Sequence, residues 1–208
     1  MMFRSRPRVD KTPGRKEKWR DLADRMELLD FTSEAERLRR FLNLPPAPPD
    51  PVFCLQRPDQ PKLYLFDHLE ERKGPTGVVH TPVSVCLLAA KTKFADLSLK
   101  AHRKRHAVLE SLEASATGSE KFEILEDPEF NERITLYARD AAKAGELLTL
   151  EVRAVLSRAL LERQAAPTFV LSERYALLTC RGQPGRETPL EALELLAGDL
   201  LSLYALIS

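Results

Sequence analysis

A histidine and aspartate set is the best candidate for chemistry in this sequence. Asp67 and His68 end a strand-like run at 62–69, and His80 lies in the next such run, 78–90. If the two runs pair as a hairpin, Asp67 or His68 faces His80 across the ladder. A carboxylate beside an imidazole is the arrangement of an oriented general base or of a metal ligand. Ion pairs at strand ends are the alternative interpretation of the same residues.

Two further histidines have the spacing of a helical metal site. On a helix, His102 and His106 stand one turn apart on one face. A zinc protease places glutamate directly after the first histidine, whereas Arg103 occupies that place here. The same segment holds three more basic residues, Lys100, Lys104 and Arg105. Because clustered cations repel a divalent ion, the start of a solvated basic helix is the alternative.

The N-terminus is strongly basic although the whole chain carries a net charge of only +1. Residues 1–20 hold eight basic and two acidic side chains, beginning with Arg4, Arg6 and Arg8. Together with the basic residues of 100–106 they predict a surface for nucleic-acid phosphates, provided that both segments lie on one face. The alternative is a flexible, solvated leader over residues 1–16.

Sequence motifs of the common enzyme classes are missing. None of G-x-G-x-x-G, G-x-x-x-x-G-K and G-x-S-x-G occurs in the sequence. Cys54, Cys86 and Cys180 lie in apolar runs, where burial raises the pKa of a thiol and disfavours a nucleophile. We therefore expect no cofactor and no catalytic residue, with a metal-dependent hydrolase as an alternative.

Length and composition predict a globular chain. Its 208 residues, 43% hydrophobic and 30% charged, suit one large domain or a domain with a terminal arm. The longest apolar run, 85–90, is far shorter than the roughly 20 residues that span a bilayer. Three widely spaced cysteines do not suit a disulfide framework, and no secretion signal opens the chain. These features predict a cytoplasmic protein without a membrane span.

The N-terminal part of the chain has helical spacing. Helices are predicted at 17–29, with Trp19 on the buried stripe, and at 33–42, with Ser33 as the N-cap. Five prolines between 45 and 51 exclude a helix or a central strand. This segment therefore predicts a stiff connector between a helical arm, 17–44, and a main domain, 52–208.

The main domain begins with a β-rich texture. Strands are predicted at 52–57, 62–69, 78–90, 94–100, 122–125, 134–138, 169–171 and 176–180. Turn residues predict hairpins at 58–61, 74–77 and 172–175. An antiparallel meander is the simplest arrangement of these strands.

Helices dominate the C-terminal part. Asp127 and Asp140 are predicted N-caps, and the helix after Asp140 runs to about residue 164 with a break near Thr149. Thr188 is the predicted N-cap of a last amphipathic helix. The fold class is therefore α+β, a mostly antiparallel sheet of about six to eight strands covered by long C-terminal helices, with an N-terminal helical arm.

Three short stretches of the sequence carry a resemblance. They are Trp19-x-x-Leu22-Ala23, Asp127-Pro128-Glu129-Phe130-Asn131 and Ala144-Gly145-Glu146-Leu147-Leu148-Thr149. Their order, over residues 17–207, resembles an uncharacterised bacterial domain family that is often attached to membrane helices. The resemblance implies a soluble α+β domain and supplies no established catalytic residues.

These observations lead to a hypothesis with two alternatives. We expect a non-catalytic, cytoplasmic protein-interaction or regulatory module that binds a protein partner through the sheet or the last helix. Nucleic-acid binding through the two basic segments is the first alternative, and a metal-dependent hydrolase is the second. Leu195, Leu201 and Leu206 lie off the main apolar stripe of the last helix, which favours a homodimer through this helix or a place in the core.

Overall fold

The chain folds around one antiparallel sheet. The computed structural model describes residues 14–44, 47–74, 77–92, 96–101, 119–163, 167–181 and 188–208, with the backbone alone for 71–80. The strands are β1 (Leu29–Asp30), β2 (Val52–Leu55), β3 (Lys62–Gly74), β4 (Gly77–Ala89), β5 (Leu97–Ala101), β6 (Glu120–Phe122), β7 (Ile134–Ala138), β8 (Thr168–Ser172) and β9 (Tyr175–Arg181). Their order is β1-β2-β3-β4-β9-β8-β5-β7-β6.

Six α-helices accompany the sheet in the described residues. They are α1 (Arg15–Met26), α2 (Ala35–Phe41), α3 (Pro128–Arg133), α4 (Ala141–Leu147), α5 (Leu150–Ser157) and α6 (Leu190–Ile207). The α+β class is therefore confirmed, with nine strands instead of six to eight. The additional strand is β1, which falls at the end of the predicted first helix. Glu27 ends that helix early, because its left-handed backbone (φ 55°) turns the chain out of it.

The strand order departs from a simple meander in two places, since β5 pairs with β7 instead of β6, which lies beyond β7 at the edge. β1 to β4 follow one another, and β9 then pairs with β4, so that the β8–β9 hairpin lies between β4 and β5. β4 is apolar on both faces around Val85, Cys86 and Leu87, all of them buried. A strand of this kind belongs inside a sheet and needs a partner on each edge, which β3 and β9 provide.

The two faces of the sheet have separate apolar clusters. Leu65, Cys86 and Leu178 are among the strand residues of the larger cluster, which also contains residues of α1, α4, α5 and α6. Phe66 and Val85 belong to the second cluster on the opposite face, which includes residues of α2. The sheet is therefore a middle layer between helices, as expected for a sheet whose two faces are apolar.

The helices before the proline connector belong to this same packed unit. Trp19 is completely buried in the larger cluster and stacks on Phe53 of β2, with ring centroids 5.7 Å apart. β1 pairs with β2, and the backbone N–H of Asp50 donates to the carbonyl of Asp67 at 3.1 Å. The expected separation of a helical arm from the main domain is therefore wrong, because α1 covers part of the sheet.

Two of the four expected helix caps are present, those of Asp127 and Asp140, and Thr149 caps a further helix at the expected break. The side chains of Asp127, Asp140 and Thr149 accept backbone N–H groups at the starts of α3, α4 and α5. Thr188 does not cap α6; its hydroxyl donates to the Cys180 carbonyl at 3.4 Å, and the helix begins only at Leu190. The predicted Ser33 cap is also wrong, because residues 32–34 form a 3₁₀ turn without a side-chain cap bond.

The β3–β4 hairpin extends beyond the sheet. β2 stops pairing with β3 at Phe66, and β9 stops pairing with β4 at Val83. Residues 67–74 and 77–82, called the β3–β4 arm below, pair only with each other in the described chain. Eight extended residues give the arm a length of roughly 25 Å.

The helices of this structure are too short or too polar to cross a lipid bilayer, as far as the described residues are concerned. The apolar surface of α6, the longest of them, is turned largely toward the sheet.

Candidate functional site

Asp67, the centre of the predicted site, lies in a saturated polar cluster under α1. Its carboxylate accepts from Arg15 Nε at 2.9 Å and Nη2 at 3.1 Å. Trp19 Nε1 donates to Oδ2 at 2.6 Å, and Ser84 Oγ donates to Oδ1 at 2.6 Å. Each carboxylate oxygen therefore accepts two hydrogen bonds, so Asp67 offers little capacity for general base catalysis.

Arg15 extends this cluster to the last helix. Its Nη1 donates to the Thr188 carbonyl just before α6, and its Nη2 also donates to Ser84 Oγ at 3.0 Å. The side chains of Arg15 and Asp67 are each only 17% exposed. Buried ion pairs persist when their remaining hydrogen-bonding groups are satisfied, as they are here. The Asp67 cluster thus joins α1, β3, β4 and the start of α6, which is a structural role.

The expected pairing of Asp67 or His68 with His80 is wrong. In the ladder, Asp67 lies opposite Ser84 and His68 opposite Val83, whereas the partner of His80 is Glu71. The ladder is centred midway between Gly74 and Gly77, two residues later than a pairing of Asp67 with His80 needs. Burial lowers the pKa of His68, which is thereby kept neutral at pH 7.

The described residues contain no group of three or more histidine, cysteine, aspartate or glutamate side chains placed to hold a metal ion. His102 and His106 lie outside the described residues. The metal-site hypothesis for these two histidines therefore stays a prediction.

The basic residues of the nucleic-acid hypothesis are placed only in part. Lys100 is half-buried on β5, opposite Thr135 and Thr168. Outside the described residues lie Arg4, Arg6, Arg8, Arg103, Lys104 and Arg105. Whether the two basic segments share a face is therefore left as a prediction.

The three thiols are buried, as the sequence predicts, and they are protected from ionisation. Burial raises the pKa of Cys54 to about 11 and that of Cys180 to about 12. Burial also raises the pKa of Cys86 well above its usual value. Because the thiolate is the nucleophile, none of these cysteines is poised for covalent catalysis at neutral pH.

A wide charged cleft of about 830 Å³ opens where loops from three parts of the chain meet. It lies at the end of the sheet formed by the start of β5, the β7–α4 junction and the β8–β9 turn. Its lining residues are Asp96, Leu97, Arg139, Asp140, Ala141, Lys143, Ala144, Leu147, Ser172, Glu173 and Arg174. We call this feature the charged cleft; its rim has three basic and three acidic side chains.

Ion pairs and hydrogen bonds hold the charged cleft in shape. Arg139 pairs with Asp96 at 3.1 Å, and Lys143 pairs with Asp140 at 3.5 Å. The backbone N–H of Lys143 donates to Asp140, which lowers the pKa of this carboxyl and keeps it ionised. The Thr92 hydroxyl and backbone N–H donate to the carbonyls of the β8–β9 turn at 2.8 and 3.0 Å.

The described lining of this cleft offers charged side chains and one hydroxyl. Ser172 supplies a hydroxyl, but no histidine or cysteine is among the lining residues, and Ser172 Oγ accepts the Arg174 backbone N–H at 3.2 Å. A serine nucleophile needs an adjacent base. The side chains of Arg139 and Lys143 are 67% and 71% exposed, so they are available to a partner.

Two other polar groupings have structural roles. Asp199 is buried in α6 and binds Arg158 Nε at 2.7 Å and Arg163 Nε at 3.0 Å, which anchors the π-helical turn Arg158–Glu162 to α6. Asp127 binds Arg153 at 2.9 Å beside a small cavity of about 190 Å³ and so joins α3 to α5.

Sequence reasoning missed the partner of Asp67 and the charged cleft. Arg15 was assigned to the solvated leader, although a charge at the end of an apolar strand indicates that a buried partner is needed. The cleft has no local signal, because Asp96, Arg139 and Arg174 are far apart in the sequence. It becomes visible only when the strand order is known.

Comparison of the chain with protein-family models, curated proteins and solved structures yields no match. The resemblance to the bacterial domain family therefore stays a prediction, and the function rests on the geometry described above.

Replacing Asp67 tests the role of the Asp67 cluster. Asp67→Ala leaves Arg15 and the Trp19 indole N–H without their acceptor in a poorly hydrated site, so we expect a loss of about 3 kcal/mol in the free energy of unfolding. Urea denaturation followed by circular dichroism measures it. The control, Asp50→Ala, breaks the exposed 3.4 Å pair with Lys16 and should cost less than about 0.5 kcal/mol. Equal effects of the two substitutions would contradict a structural role for Asp67.

The buried thiols predict a loss of stability in alkaline solution. An unfolded cysteine ionises near pH 8.5, whereas folded Cys54 keeps its proton up to about pH 11. Its contribution to stability is therefore complete below about pH 8.5 and is lost as the pH rises toward 11. We expect the free energy of unfolding to fall less steeply from pH 8 to pH 10 in Cys54→Ala than in the wild type. Identical slopes in urea titrations would show that burial of this thiol carries no such linkage.

Proposed function

We propose that this protein is a non-catalytic protein-interaction module and that the charged cleft binds a charged segment of a partner protein. The observation that carries the proposal is the rim of the cleft. Glu173 and Arg174 are exposed at its turn and make no ion pair with any described residue. Arg139 and Lys143 pair with Asp96 and Asp140 but remain highly exposed. Charges that are not committed within the fold are available for intermolecular pairing.

The balance of charges favours a polypeptide as the ligand. Three basic and three acidic side chains surround the cleft. A polyanion such as nucleic acid would bring phosphates close to Asp96, Asp140 and Glu173, which repel them. A protein segment that carries both signs is able to place each charge beside its opposite.

The lining of the cleft also argues against a small apolar ligand. Sites for such ligands are mainly apolar and enclose most of the molecule. Here the apolar residues Leu97, Ala144 and Leu147 are buried in the core, so the charged residues form much of the accessible surface. Binding in this cleft would depend on rim charges, which mainly govern the association rate and respond to salt.

Charge reversal tests the cleft. In pull-downs with the full chain from cells of its source, the double substitution Arg139→Glu and Arg174→Glu should reduce recovery of a nuclease-resistant protein partner roughly tenfold, since each reversal replaces an attraction by a repulsion. The matched control, Arg37→Glu with Arg40→Glu, makes the same charge change on exposed α2 residues and should retain the partner. The proposal fails if both doubles recover the partner equally, and loss of every partner after nuclease treatment supports nucleic-acid binding instead.

Self-association through α6 is a second candidate. Leu195 and Leu206 are 50% and 47% exposed on the outer side of this helix. Between them, the position of Gly198 has open space where a side chain would stand. Two copies of such a surface approach closely and bury the leucines against each other. Leu201, by contrast, is half-buried and packs against the core.

Sedimentation measurements test this contact. We expect the wild-type chain to form a dimer at high micromolar concentrations and Leu206→Glu to remain a monomer, because the contact would bury the new charge. Leu125→Glu is the control, since Leu125 is highly exposed outside α6 and its replacement should leave the dimer unchanged. A monomeric wild type over the whole concentration series would exclude dimerisation through α6.

A further inference from the structure

We propose that the outer edge of β3 in the β3–β4 arm binds an extended segment of a partner protein as an additional antiparallel strand. This inference concerns a surface other than the charged cleft and does not depend on it. It rests on the backbone of the arm, on the prolines beside it and on the order of charges along β3.

The direction of the backbone groups follows from one hydrogen bond. The Asp67 carbonyl accepts the Asp50 N–H at 3.1 Å, so the backbone groups of Asp67 face the side where β2 lies. Pairing with β4 is one-to-one as far as Gly74 opposite Gly77, without a bulge. Because strand residues alternate, the N–H and C=O groups of Leu69, Glu71 and Lys73 face the same outer side.

Among the described residues, none occupies this outer edge. β2 stops pairing with β3 at Val52, and the residues before it include Pro48, Pro49 and Pro51. Proline has no N–H and cannot continue a ladder. Within the described part of the chain, no backbone group pairs with the outer edge of β3 beyond Asp67. A partner strand placed here would continue the line of β2.

The other edge of the arm is not equivalent. In β4, the backbone groups of Ser84 and of every second residue from it face away from β3. The first of these residues beyond the pairing with β9 is Pro82. A proline at this place removes the donor that a strand on the β4 side would need. Prolines at strand edges are a common protection against unwanted pairing. Within the described residues, the β3 edge of the arm is therefore open, whereas the β4 edge lacks the donor nearest to the sheet.

An isolated two-stranded ribbon is marginally stable in water. Residues 67–74 and 77–82 have no third strand beside them in the described structure. A third strand on β3 would supply ladder hydrogen bonds to three residues whose outward backbone groups make none within the described chain. This is the recognition mode in which a peptide adds a strand to an exposed sheet edge.

The charges along β3 indicate which segment fits. Leu69, Glu71 and Lys73 alternate along the strand, so an antiparallel partner matches them with an apolar, a basic and an acidic residue. A second copy of this chain matches the edge less completely. Two-fold pairing centred on any of residues 70–73 sets one residue opposite its own copy, which is a pair of like charges, although pairing centred on Glu71 or Arg72 also sets opposite charges beside it. A separate partner segment is able to avoid the like-charged pair.

Designed peptides test the proposal on the full chain. The probe is a capped heptapeptide with aspartate, lysine and valine opposite Lys73, Glu71 and Leu69, and with threonine at the other positions. We expect saturable binding and at least a roughly tenfold slower amide hydrogen exchange at Leu69, Glu71 and Lys73, because these N–H groups become hydrogen-bonded. Nuclear magnetic resonance of the isotope-labelled protein measures both.

N-methylation provides matched controls for backbone pairing. Methyl groups on the lysine and valine amides of the peptide, which face β3, should abolish binding. Methyl groups on the threonine amides, which face away, should change the dissociation constant less than about twofold. In the protein, Glu71→Pro removes an outward N–H and should abolish binding, whereas Glu71→Gln keeps this N–H and should retain it.

Several results would overturn the inference. Equal binding of the two methylated peptides would show that charge alone is responsible, and protection of β4 amides would place the peptide on the wrong edge. Protection of the three β3 amides in a peptide-free dimer would make a second copy the occupant. Because the sites are separate, the double substitution at Arg139 and Arg174 should leave peptide binding unchanged. Loss of peptide binding in that variant would place the peptide in the cleft.

Discussion

A carboxylate in a poorly hydrated place must be surrounded by donors, and the environment of Asp67 meets this constraint with three side chains from two elements. Arg15 and Trp19 come from α1, and Ser84 comes from the neighbouring strand β4. Removing any of these donors would leave a charge that the interior cannot solvate. The position of α1 on the sheet is therefore set by a polar requirement as well as by burial of Trp19. The Thr188 carbonyl extends the same constraint to the start of α6.

Asp67 also lies where the sheet ends and the β3–β4 arm begins. Its side chain faces α1, while its carbonyl accepts the N–H of Asp50 in the connector. The prolines around Asp50 then take the chain away from β3. Asp67 is therefore the last residue of the hairpin that hydrogen bonds from α1 and the proline connector hold in place. Beyond it, the two strands have only each other as ladder partners in the described residues, although Glu70 also binds Arg181 of β9 at 3.0 Å.

Local sequence signals predicted much of the fold. Alternating apolar residues and turn prolines or glycines located seven strands, and Asp127 and Asp140 located helix starts. The strand predicted at 122–125 shares only Phe122 with β6. The errors arose where distant groups decide the structure. The Thr188 hydroxyl binds the Cys180 carbonyl instead of the helix, and β9 pairs with β4 because a strand apolar on both faces needs two neighbours. Neither interaction has a signature within a short window of sequence.

The candidate sites show the same division between local and distant information. The burial and low reactivity of the thiols followed from their apolar neighbours, whereas the register of β3 and β4 overturned the histidine pair. The charged cleft and the β3 edge depend on strand order and on hydrogen-bond direction, which the sequence does not reveal.

Salt distinguishes these two surfaces, since rim charges are screened whereas backbone pairing depends on geometry. A partner that uses both would be steered by the cleft charges and retained by strand pairing, and high salt would then reduce the association rate more than it raises the dissociation rate.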